Sequence, residues 1–273
     1  MRKKHIQRWW ILLSMLLCLQ TLSAEQAPKT ELTHEEAIEE IMDLSGLNDQ
    51  VPQIADSVIM TFMQEQNKFP EEIRADVMKT ITLAFNGDSM RQTVKNEVAQ
   101  KVSLEESKSL LKWYRSILGM QISNLEKTPP EPEDYQVMLE QAKTLTADKE
   151  RLALCQKIDK AAHLTEYSLN IQMGIMRSTL KLMQPNADET RLDNYLKETR
   201  QNMQKQMEQI QILSLLYTYR ELDSEALSKY ADFLSKDTSQ AFLNSANVGI
   251  QKAILSSTDN MLNELVKLRS IQQ

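Results

Sequence analysis

The chain is short of the residues that make tight turns, crosslinks and metal sites. Its 273 residues include five glycines, two cysteines and three histidines, and aromatics make up 5%. With so little glycine and no strictly alternating β-branched runs, hairpins and sheets have little to be built from. Outside the first 24 residues one cysteine remains, Cys155, so that part can form no internal disulfide and must be held by packing. Cys155 lies in an apolar helical pattern with Leu152, Leu154 and Ile158, and reads as a buried small hydrophobe. No serine nucleophile elbow, zinc-peptidase helix, phosphate-cradling glycine loop or paired-cysteine motif is present. The expectation is a non-enzymatic chain with no cofactor and no metal. His34 reads as an exposed first-turn residue and His163 as a helix end. Two histidines fall short of the three or four ligands a zinc site needs.

What the chain has instead is helix formers: Gln, Glu, Lys, Leu, Met and Ala dominate, which makes the fold class all-α. Residues 1–24 form a separate unit, with a basic lead (Arg2, Lys3, Lys4, Arg8), an apolar run from Trp9 to Leu22, and Ala24 before Glu25. That order predicts a cleaved secretory signal peptide, because the run is shorter than the ~20 residues of a membrane span. Export to the periplasm, or secretion, follows, with no transmembrane anchor left after cleavage. Without residues 1–24 there are 28 basic and 38 acidic residues, a formal charge of −10. This excess of acid argues against nucleic-acid binding and against electrostatic attachment to anionic lipid.

Helix signals predict elements at 34–45, 49–67, 70–85, 89–101 and 104–127, then 135–145, 148–162, 165–183, 188–221, 224–236 and 238–269, the last broken near Ser256. Thr33 with Glu36 and Ser103 with Glu106 fit capping boxes. Gly46 and Asn86-Gly87 read as C-terminal stops, and Pro70 as the opening of a helix. Residues 128–134, rich in proline and acid, read as an extended linker. The domain reading is therefore signal peptide 1–24, repeat 33–127, linker 128–134 and repeat 135–270 with a C-terminal helix, two tandem repeats in one elongated or two-lobed bundle.

The repeats rest on an offset of 117, which pairs Ile41 with Ile158, Gly46 with His163, Leu47 with Leu164 and Ile54 with Ile171. Asn48 and Thr165, also paired by it, read as N-caps. After a two-residue slip, Glu106 pairs with Glu225, Tyr114 with Phe233, Ser116 with Ser235 and Gln121 with Gln240.

Leu104-Glu105-Glu106, followed by Trp113-Tyr114, Ser116 and Gly119, resembles the helical signature of an exported bacterial family catalogued as domain of unknown function 2059. The match covers residues 103–127 in detail and the remainder by architecture. It implies an exported helical protein and carries no catalytic residue. The proline that often follows the serine is Ile117 here, so the helix is expected to run on. Leu104, Leu111, Tyr114, Leu118, Ile122 and Leu125 form one stripe, read first as a core face. The functional alternative is a groove for a partner or an apolar ligand at Trp113, Tyr114, Ser116 and Gly119, with Gly119 admitting a crossing helix.

Three other features are read as structural. The methionine pairs Met60/Met63, Met173/Met176 and Met203/Met207 read mainly as core filling and secondly as adaptable surface. The acids at 35, 36, 39, 40 and 43 read as a solvated face. In the last helix, Ala241, Ser245, Ala246, Gly249, Ala253 and Ser256 present small residues for a tight crossing, and Met261, Leu265 and Leu268 a stripe that caps the core or, alternatively, reaches a second subunit. Together these readings imply a protein-interaction or envelope-support module, or alternatively a carrier of an apolar ligand.

Overall fold

Caps set most helix boundaries in the computed structural model, which describes residues 32–64, 66–68, 71–127, 132–184 and 187–271. These residues hold twelve α-helices, a short 3-10 turn at Gln66–Lys68 and no strand, so the fold is all-α. The first half contains α1 (His34–Leu44), α2 (Leu47–Gln64), α3 (Glu71–Ala84), α4 (Gly87–Lys101), α5 (Leu104–Tyr114) and α6 (Ile117–Glu126). After α7 (Pro132–Leu145) come α8 (Lys149–Ala162), α9 (Leu164–Met183), α10 (Glu189–Thr218), α11 (Ser224–Leu234) and α12 (Asp237–Ile271). The signal-peptide reading of 1–24, the opening role of Pro70 and most of the 128–134 linker lie outside the described residues.

Both capping boxes form: Thr33 accepts from the Glu36 amide while Glu36 accepts from the Thr33 amide, and Ser103 and Glu106 do the same. Several expected boundaries are corrected. Asn86 does not stop a helix; its side chain accepts from the Ser89 amide and starts α4 at Gly87. Asn48 and Thr165 are not N-caps but second residues of their helices, tied back to Glu39 and to Asp159 respectively. Helix α7 begins at Pro132, inside the expected linker, because proline's fixed φ and missing N–H suit the first helical position. Helix α12 runs unbroken through Ser256, its Thr258 hydroxyl donating to the Ile254 carbonyl.

The expected 104–127 helix is two helices. Ser116 takes φ −73° and ψ 156°, and its hydroxyl oxygen accepts from the Gly119 amide. The break needs no proline, because a serine in extended geometry caps the next helix by itself. Gly119 serves this turn rather than a crossing helix: a Cβ there would lie 2.1 Å from the Trp113 carbonyl oxygen.

The wiring of the first half recurs in the second. Among the described residues the positive-φ positions are Gly46 (84°) and His163 (54°), which end α1 and α8 at the expected offset. His34 is half-buried rather than exposed, with its Nε2 2.7 Å from the Val102 carbonyl at the end of α4. Arg151, 117 residues later, donates to the carbonyl of Tyr219 at the end of α10, 117 residues beyond Val102. The second half then has three extra residues, 220–222, before the N-cap Asp223, so the slip is three residues rather than two. In that register the buried Ser107, Leu110, Leu111 and Tyr114 of α5 answer to Leu227, Tyr230, Ala231 and Leu234 of α11, all 120 residues on. Trp113 answers to Phe233, and the two rings stack at 4.3 Å.

Residues from Thr33 onward form one unit, not two lobes. Helix α12 packs on α3, α4 and α5 of the first half and on α8, α9 and α11 of the second, most extensively on α4. The expected small-residue face makes this crossing: a Cβ at Gly249 would sit 2.8 Å from Val94 Cα. Of the expected stripe near its end Met261 is buried, beside Leu262, Leu265 is half-buried, and the Leu268 side chain lies outside the described residues. Cys155 is buried, and burial pushes its thiol up to about 11. Met42, Met90, Met138 and Met261 fill core, whereas, against expectation, the Met60/Met63 pair is exposed and the Met173/Met176 and Met203/Met207 pairs are half-buried. The acids of α1 are more than a solvated face. Glu39 pairs with Lys95 of α4 at 2.7 Å, and Glu40 with Arg115 at 2.6 Å. Among the described residues no helix is long and apolar enough to cross a membrane.

Candidate ligand cavity

Six of the chain's few aromatics gather where the halves meet. Trp113 lies over Phe233 and parallel to Tyr230 at 6.1 Å, Tyr114 meets Phe233 and Phe242 edge-on, and Tyr219 meets Tyr230 at 5.9 Å. Beside this cluster is a cavity of about 300 Å³, at the lower end of the ~300–1,000 Å³ usual for small-ligand sites. Its wall carries the apolar Leu125, Ile158, Leu215, Phe242 and Ile250, and its polar side chains include Gln211, Ser214, Thr218 and Asn247 besides Glu126 and the tyrosines.

Glu126 ends α6, where the negative pole of the helix already disfavours a carboxylate. Its Oε1 accepts hydrogen bonds from the Tyr219 hydroxyl at 2.5 Å and the Tyr230 hydroxyl at 2.6 Å. Its backbone carbonyl accepts from the Gln50 side chain. The residue is half-buried overall, with the carboxylate turned inward onto two buried tyrosines. Burial raises the carboxyl above its ordinary value, against the two hydroxyls, which favour the charged form. Burial first, and then the nearby Glu126 charge, raise the phenols of Tyr114, Tyr219 and Tyr230, so all three stay neutral, Tyr219 and Tyr230 as donors to Glu126. A surface groove of about 530 Å³ along α2 shares Gln50 and Glu126 with the cavity. Glu126 therefore borders both the outer groove and the cavity.

The two halves build this place from opposite chemistry. By the observed register Glu126 answers to Ala246, Tyr230 to Leu110 and Tyr219 to Val102. All three counterparts are buried and apolar. The scaffold is thus satisfied by alanine, leucine and valine at one copy of the position and holds an acid and two tyrosines at the other. Burying a carboxylate costs on the order of several kcal/mol before its hydrogen bonds offset it. A local rule broken in one of two equivalent places marks the functional candidate.

Of the four residues expected to form a groove, Tyr114 borders the cavity. Trp113 is packed on Phe233, Ser116 caps α6 and Gly119 fits under the Trp113 carbonyl. Glu126, Tyr219 and Tyr230 were missed; the available signals were an acid in a helix's last turn and, in the correct register, its pairing with alanine. No three His, Cys, Asp or Glu side chains among the described residues are placed to hold a metal ion. His163 approaches Gln240 at 3.3 Å.

Fold and cavity together define an all-helical protein with an amphipathic internal site. Compared with family models, curated proteins and solved structures, the chain matches none.

Proposed function

We propose that this chain is an exported, non-enzymatic helical protein that carries a small apolar ligand in the cavity between its halves. The observation that carries the reading is the cavity itself, which has many apolar side chains in its wall and holds Glu126, Tyr219 and Tyr230 where the other half has Ala246, Val102 and Leu110. Export rests on the basic lead and apolar run of residues 1–24, and membership of the exported helical family on residues 103–127. A second reading, a protein partner, is favoured by Ile117, which is 84% exposed beside exposed Met120 at the start of α6.

The carrier reading is tested with 1-octanol, a neutral probe. A ligand that binds only the folded chain raises its melting temperature with concentration. The expected result is such a rise in the wild type and its loss in Ala246→Leu, which fills the cavity. A melting temperature indifferent to octanol in the wild type would overturn the reading.

A further inference from the structure

The cavity is lined by one acid and by no lysine, arginine or histidine. Its other ionisable groups are Tyr114, Tyr219 and Tyr230. The Tyr219 and Tyr230 hydroxyls both reach Oε1 of Glu126, and among the described residues none donates to Oε2. Gln50, at the junction with the outer groove, is turned to the Glu126 backbone rather than to the carboxylate. The site therefore offers an acceptor that two fixed donors orient without saturating it.

We propose that the ligand is an amphiphile with a protonated amine head. The ammonium donates to Oε2 of Glu126, and the flanking tyrosine rings offer π-faces that attract a cation. The alkyl chain lies along Leu125, Ile158, Leu215 and Ile250. A fatty acid is disfavoured because it would bring a second carboxylate to Glu126 with no cation in the wall to compensate. A purely apolar ligand would leave the acid unexplained, since Ala246, Leu110 and Val102 show that the same scaffold closes around apolar residues. The proposal rests on the carrier reading and adds the chemistry of the head group.

Isothermal titration of the whole chain with 1-octylammonium, 1-octanol and octanoate at neutral pH tests it, in the wild type and in Glu126→Gln. A charge-assisted hydrogen bond predicts octylammonium bound about tenfold or more tighter than octanol in the wild type, with octanoate weakest. In Glu126→Gln the preference for ammonium should fall to about one, while retained octanol binding shows that the variant is folded. Octanol bound as tightly as octylammonium, or a preference that survives Glu126→Gln, would overturn the proposal while leaving the carrier reading standing. If no probe binds the wild type, the carrier reading fails and this assignment fails with it.

Discussion

Glu126 sits inside the molecule with two phenols on one oxygen and no cation in the cavity wall. Because burial raises its folded pKa above the ordinary carboxylate value, the folded chain holds that proton more tightly than the unfolded chain. Its contribution to stability is therefore fully present below the ordinary carboxylate pKa and is lost as pH rises through the raised value. Glu126→Gln removes that loss, so urea midpoints of wild type and variant should separate in the variant's favour as pH rises across this window. Parallel profiles would show that the carboxyl does not titrate as burial requires. Gly119 is a second residue-scale case. Gly119→Ala drives a methyl group onto the Trp113 carbonyl and should cost about 1–3 kcal/mol or more in denaturant unfolding, against a few tenths for an unstrained position. The group Trp113, Tyr114, Ser116 and Gly119 was legible as a unit because its members are local. Glu126 was not, because its two donors lie 93 and 104 residues away and no local pattern announces a pair that distant.

Among the elements, the parts decided by capping chemistry were legible. Thr33, Ser103 and Gly46 act as short-range physics requires, and α10 is the single long helix expected. The misreadings arose where one residue type serves two roles. Asn86 caps forward instead of stopping, Pro132 opens a helix instead of extending a linker, and Ser116 breaks a helix that Ile117 alone would have continued. The last case carries a prediction. Ile117 is the exposed first residue of α6, and Ser116 before it already has the extended backbone that a following proline demands. Ile117→Pro should leave the circular dichroism spectrum unchanged and be neutral or stabilising by up to about 1 kcal/mol. A loss of helix signal or of several degrees in melting temperature would place the 115–116 break elsewhere.

The molecule as a whole repeats its wiring and then departs from the repeat at one place. His34 with Val102 and Arg151 with Tyr219, the turns at Gly46 and His163, and the Trp113–Phe233 stack all relate the halves. An offset of 117 was readable from the sequence; the third inserted residue at 220–222 was not, because in helices rich in Glu and Leu a neighbouring register also finds matches. That one residue decides whether Glu126 is compared with Ser245 or with Ala246, and so whether its oddness shows. The central claim is that Glu126, Tyr219 and Tyr230 serve a ligand and not the fold. The direct measurement is the combined variant Glu126→Leu, Tyr219→Phe, Tyr230→Phe, which keeps the rings and removes the polar network, assayed for melting temperature and for octylammonium binding. Apolar groups of similar shape in place of a buried polar cluster are commonly neutral or stabilising by about 1–4 kcal/mol. The predicted result is a melting temperature at or above that of the wild type with octylammonium binding weakened about tenfold or more; a clearly lower melting temperature with binding intact would contradict it.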